Sequence, residues 1–284
     1  MARYGERTRP GDPISNFGRK VVATPAELFT VDYLVAAGGG SGYQAPGSPG
    51  SASTAVLGSF TVTTVGGGMA GRYSSNNGST GGSGGGGGSA EAGGGLGNGG
   101  AGTANEGFAG GAAPGPGGNA NGYACGAGGG AGGAASTTTR GNALSNSITG
   151  SSVSYGIGGT YGANGVNPPA AAANKGDGGN GGSISGGGGA GGIRSSVSAT
   201  GGGGAVQSSG VALTGASYSM TVGAGGAVAA PYGNSVGGSG VIILRYADTR
   251  TISFGAGLTG TESSASGGYK RATLTAGSGN VSWT

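Results

Sequence analysis

Histidine is absent from the 284 residues, and cysteine occurs once, at Cys125. Without histidine no His-based triad can form, and one thiol cannot close an intrachain disulfide. Charged residues make up 8% of the chain, and aromatic residues 6%. The net charge of +4 is small and scattered, which argues against a nucleic-acid surface. No apolar run reaches the roughly 20 residues of a membrane helix. The first residues carry no apolar signal core, so no secretory route is expected. Walker-type phosphate loops and metal-ligand clusters are missing, and no cofactor or metal is expected. Gly40-Ser41-Gly42-Tyr43-Gln44-Ala45 follows a strand signal and fits G-x-G-x-x-A. Pro46, Pro49 and a Ser/Gly run follow where a dinucleotide fold needs a helix. Asn77-Gly78-Ser79 and Asn280-Val281-Ser282 match the glycosylation sequon, which means little without a signal peptide.

What the chain has is glycine, 80 residues of it. Each glycine costs roughly 0.5–1 kcal/mol more backbone freedom than alanine on folding. A folded chain this rich in glycine must recover that loss through close backbone approach, which only a missing side chain permits. The low charge argues against the usual disordered composition, and the Gly-X-Y period of collagen fails. The reading is therefore all-β and irregular: short β-strands bracketing a packed bundle of polyglycine-II-like extended helices, with little or no α-helix. Such segments run three residues per turn and bond side by side.

Three regions follow. Residues 1–26 read as an extended N-terminal arm, either a loose terminus or a docking arm ordered by a partner, with Arg3, Arg7, Arg9, Arg19 and Lys20 as the docking candidates. Residues 27–247 are the glycine-rich domain. Leu28–Ala36 leads into it and Val241–Tyr246 leads out, and the economical arrangement pairs the two. The second is continuous and apolar, which predicts cover on both faces. Segments 59–66, 152–158 and 217–223 alternate small polar with apolar residues, the period of half-buried strands. Residues 248–284 form a small β segment, with strands at 251–254, 269–275 and 280–283 and a turn at Ala276–Gly279. It is too small to fold alone and should pack on the main body or on other chains.

Aromatic residues in the glycine region either fill gaps in the bundle or stand at loop tips as rigid contact groups. On the second reading Arg72, Tyr73, Asn76 and Asn77 form the best local cluster. Phe108, beside Asn105 and Glu106, is next, and Tyr123 and Tyr161 complete the contact candidates. Paired-carboxylate hydrolysis would need an Asp/Glu pair on a rigid frame. The interior offers only Glu91, Glu106 and Asp177, so no enzyme is expected.

VDYLVAAGGGSG (31–42), YSMTVGAGG (218–226) and GGSGVIILRY (237–246), in that order, resemble the glycine-rich domain of bacteriophage tail-fibre and related virion proteins. GGYKRATLTAGSGNVSW (267–283) resembles a terminal β segment of such proteins. The resemblance spans about residues 28–283. It implies a virion structural protein, often receptor-binding, with glycine helices in layers and variable loops at the tip. It implies no catalytic residues. A tail-fibre or adhesin-type component would sit at the tail or exterior surface of the virion and be made in the host cytoplasm. It would bind other virion proteins through its arm and a host-surface glycan or protein through its tip. Homo-oligomerisation is expected, a trimer favoured, with no nucleic-acid or membrane insertion. A capsid decoration protein of the same fold is the alternative, and an ice-binding or surface-coating glycine-rich protein is a third reading. This chain has no long fibre shaft.

Overall fold

A computed structural model describes residues 25–42, 47–72, 77–89, 95–114, 125–162, 169–182, 185–228 and 235–284. The strands are β1 (Leu28–Ala36), β2 (Ser53–Leu57), β3 (Phe60–Thr64), β4 (Leu144–Asn146), β5 (Val153–Tyr155), β6 (Ile193–Ser195), β7 (Gly210–Leu213), β8 (Ser217–Val222), β9 (Val241–Ala247), β10 (Ile252–Phe254), β11 (Leu258–Glu262) and β12 (Tyr269–Trp283). A 3-10 turn lies at Gly201–Gly203, and no α-helix occurs among the described residues. The architecture is all-β, as the composition predicts.

Ten strands form one sheet in the order β3-β2-β8-β12-β9-β1-β6, with β10 and β11 on β12 and β7 on β1. Strands β4 and β5 pair separately. The entering and leaving strands are antiparallel neighbours, with Leu34 opposite Ile243 and Val35 opposite Ile242. Their alternation buries both faces. Val31, Tyr33, Val35, Ile242, Leu244 and Tyr246 join the main core, and Leu34, Ala36, Val241 and Ile243 join a second core with Ile148, Tyr155 and Ile193.

The C-terminal segment packs on the main body, and through its centre. Strand β12 pairs β9 along Tyr269–Leu274 and β8 along Gly277–Ser282. The expected turn at Ala276–Gly279 is therefore part of one continuous strand. Val222 to Met220 and Leu258 to Thr259 hold that stretch from its two edges. Gly277 supplies a bend rather than a turn: its φ is +90°, and a Cβ there would lie 1.9 Å from the Gly257 carbonyl oxygen. At the end of β12, Trp283 is fully buried, with the rings of Phe29, Tyr218 and Tyr246 5.5–5.8 Å away.

Above the sheet the glycine segments bond by a different rule. Ala37 and Gly40 donate to Gly192 and Gly189, Gly38 and Ser41 to Ser51 and Ser48, and Gly39 and Gly42 to Gly238 and Ser235, all at 2.8–3.2 Å. Successive amides turn to three different neighbours, and every third amide returns to the same one. Segment 186–192 repeats the pattern. Gly186, Gly189 and Gly192 donate to Gly71, Gly68 and Val65, Gly187 and Ala190 to Gly126 and Gly129, and Gly188 and Gly191 to Gly179 and Gly176. A strand has neighbours on two sides; these segments have them on three. Packing is correspondingly tight: a Cβ on Gly188 would sit 2.2 Å from the Gly40 carbonyl oxygen.

Candidate attachment surface

Glycine segments from several parts of the chain meet in one layer. Gly42 donates to Ser235 (2.8 Å) and accepts from Ser185 Oγ (2.9 Å), and Gly162 donates to Ser185 (3.0 Å). Gly186 donates to Gly71, Gly71 to Gly86, Gly87 to Gly111, Gly126 to Gly87, and Gly187 to Gly126, at 2.7–3.3 Å. These bonds form one layer at the end of the bundle remote from the sheet.

The opposite pole holds the start of the described chain. The nine residues of β1 span about 30 Å between Leu28 and the first glycine segment. Below Leu28, the Glu27 amide donates to Thr214 Oγ1 (2.9 Å), the Thr214 amide returns a bond to the Glu27 carbonyl (3.0 Å), and Arg250 pairs with the Glu27 carboxylate. The C-terminal Thr284 exchanges backbone bonds with Thr251 beside it.

Three of the sequence candidates lie near the remote layer. Arg72 is half-buried, and its Nε is enclosed with no hydrogen-bond partner among the described residues. Asn77 is exposed, with Oδ1 accepting from the Asn98 amide at 2.9 Å. Tyr161 is half-buried beside Gly162. Phe108 lies one three-residue repeat deeper than Gly111: its carbonyl accepts from Gly84, its amide donates to Gly130, and its ring lies beside Gly203. Tyr73, Asn76, Tyr123, Arg3, Arg7, Arg9, Arg19 and Lys20 lie outside the described residues, as does Glu91. Ser185 and Asn98 order the layer and were not singled out from sequence. Their only signal is a hydrogen-bonding side chain close to a break between glycine runs.

The other interior carboxylates serve the frame. Glu106 is buried: Oε1 accepts from Arg194 Nε at 2.9 Å, and Oε2 from the Val65 amide at 2.7 Å. That bond caps the chain just past β3. Asp177 is buried and accepts from the Ile157 amide at 3.0 Å. Burial raises its pKa above the ordinary carboxylate value, against the Ile157 bond and the charges of Lys175 and Arg140. The folded state therefore holds the Asp177 proton more tightly than the unfolded chain does. Its contribution to stability is complete at low pH and is lost as pH rises through the raised value. Asp177→Asn keeps an oxygen for Ile157 without the buried charge. Thermal melts should show the variant more stable than wild type at pH 7, with the difference shrinking at acid pH. Burial also pushes the Cys125 thiol up to about 11, so it stays protonated and unreactive at neutral pH.

Among the described residues no group of three or more His, Cys, Asp or Glu side chains could hold a metal ion, and no helix is long and apolar enough to cross a membrane. No protein-family model, curated protein or solved structure matches the chain.

Proposed function

We propose that this chain is a structural protein of a bacteriophage virion, a tail-fibre or adhesin-type component that attaches the particle to the host-cell surface by binding rather than by chemistry. The observation that carries this reading is the division of the molecule into two poles. Gly42, Gly71, Gly87, Gly111, Gly126, Gly162 and Gly187 meet in one layer at one pole, while β1 begins beside Glu27 at the other. A neighbour that recurs at every third amide is the repeat of an extended threefold helix. On this reading the interior is a polyglycine-II-like bundle, a rigid stem that holds recognition loops at a fixed distance from the particle. Arg72, Asn77 and Tyr161 stand at the recognition end, and Tyr73, Asn76 and Tyr123 are contact candidates on the sequence alone. The target is a host-surface glycan or protein. The arm, with Arg3, Arg7, Arg9, Arg19 and Lys20, docks on other virion proteins. Copies act as a homo-oligomer, so that weak contacts add on the particle.

Host-cell binding by the purified full chain tests the recognition end. Replacing residues 115–124, Tyr123 included, with a Gly/Ser stretch of equal length, combined with Tyr161→Ala, should weaken binding about tenfold or more, the effect of losing roughly 1.4 kcal/mol. The melting temperature should not change. Unchanged binding sinks the recognition role. Deleting residues 1–24 should abolish incorporation into particles. Immunogold label on the head rather than the tail would make the chain a decoration protein of the same fold.

A further inference from the structure

The charges of the sheet are segregated. Asp32, Arg194, Arg245, Glu262, Lys270 and Arg271 lie on β1, β6, β9, β11 and the first half of β12. Strands β3, β2, β8 and β10, together with residues 277–284, carry no charged side chain. Their inward residues, Val62, Ala55, Met220 and Val281 among them, fill the main core. Their outward residues are largely hydroxyls, and the register aligns them. Thr63 lies opposite Thr54, Thr54 opposite Thr221, and Thr221 opposite Ser278, one row across four strands. Within the row the Thr54 and Thr63 hydroxyls are 3.2 Å apart, and Ser278 Oγ donates to Thr221 Oγ1 at 3.1 Å. Ser219 opposite Asn280 belongs to the next row, and both are exposed.

We infer that this neutral face is where two copies of the chain meet, face to face. The inference rests on the homo-oligomer part of the proposed function and departs from the trimer that the resemblance favours, putting two copies at this face. Globular surfaces ordinarily mix charges of both signs, and this face carries neither. With a net charge of +4, two copies repel each other least through the face that carries none of it. Hydroxyl groups both donate and accept, so the surface is complementary to itself, as a two-fold contact requires. Four strands at about 4.8 Å and three rows of outward side chains at about 7 Å give a patch near 20 Å on a side. That is about half the area per partner of a standard interface. The contact is weak in solution, and one buried charge is enough to break it.

Sedimentation of the full chain at tens of micromolar tests the face. Wild type should run as two copies. Ser219→Lys and Ser219→Glu should each run as one copy, with unchanged melting temperature. An equal mixture of the two variants should recover the two-copy mass, a rescue that a merely misfolded face could not give. Thr259→Lys, an exposed position on β11, should leave the mass of wild type. A one-copy or three-copy mass for wild type, two-copy Ser219→Lys, or a mixture that stays at one copy overturns the assignment. Host-cell binding by wild type and by the one-copy variants, captured at equal density on beads, is a separate readout. No binding by wild type counts against attachment and leaves the copy contact standing.

Discussion

A chain ending at Gly268 is expected to give no folded protein. It lacks only β12, yet β12 is the strand on which β8, β9, β10 and β11 all pair. Without it the two halves of the main core lose their common member, and the ladder bonds on both of its edges are unmade. A single change at its end is graded rather than absolute. Trp283 is fully enclosed, in ring contact with Phe29, Tyr218 and Tyr246. Trp283→Ala leaves a large cavity and should cost about 3–5 kcal/mol. Circular dichroism of the truncated chain and urea denaturation of Trp283→Ala measure both effects. A truncated chain with a cooperative melt near that of wild type would mean that β12 is an appendage, and the sheet order given above would be wrong.

The weight carried by β12 was not visible in its sequence, for a definite reason. Ala276-Gly277-Ser278-Gly279 has the composition of a turn, and composition cannot tell a glycine that reverses the chain from one that admits a neighbour 1.9 Å from its absent Cβ. Strands β1 and β9 were legible because each carries enough apolar side chain to declare both faces. Strands β2, β4, β6, β7 and β11 were missed: Ser53–Leu57, for one, buries Ser53, Ala55 and Leu57, an alternation too mild to stand out among serines and alanines. At the remote pole, an arginine, an asparagine and a tyrosine set in glycine were enough to flag Arg72, Asn77 and Tyr161. Phe108 has the same local signature but sits deeper, because its depth is set by the Gly84 and Gly130 bonds and not by its flanking residues. Which glycine segment lies beside which is not legible at all, since the contacts are made by backbone that is identical at every position.

That identity makes one substitution give opposite results at two sites. Gly188 donates to Gly179 and accepts from the Gly159 amide at 2.8–2.9 Å, and an added Cβ would meet the Gly40 carbonyl oxygen at 2.2 Å. The obstacle is backbone, bonded in turn to Gly179, so no side chain can rotate away to relieve it. Overpacking in a well-filled interior costs about 1–3 kcal/mol and occasionally more. Gly188→Ala belongs at or beyond the top of that range, because relief requires whole segments to separate. At about 2–4 °C per kcal/mol for a chain near this size, the melting temperature should fall by about 10 °C. Around Gly95 an added Cβ meets no atom of the described residues within 4 Å, and φ lies outside the left-handed range. There the methyl group acts mainly on the unfolded chain, and Gly95→Ala should stabilise by about 0.4–1 kcal/mol. Thermal melts of the two variants beside wild type decide it. If both variants shift the melt by the same small amount, the glycine segments are not in contact, and the stem that holds the two poles apart does not exist.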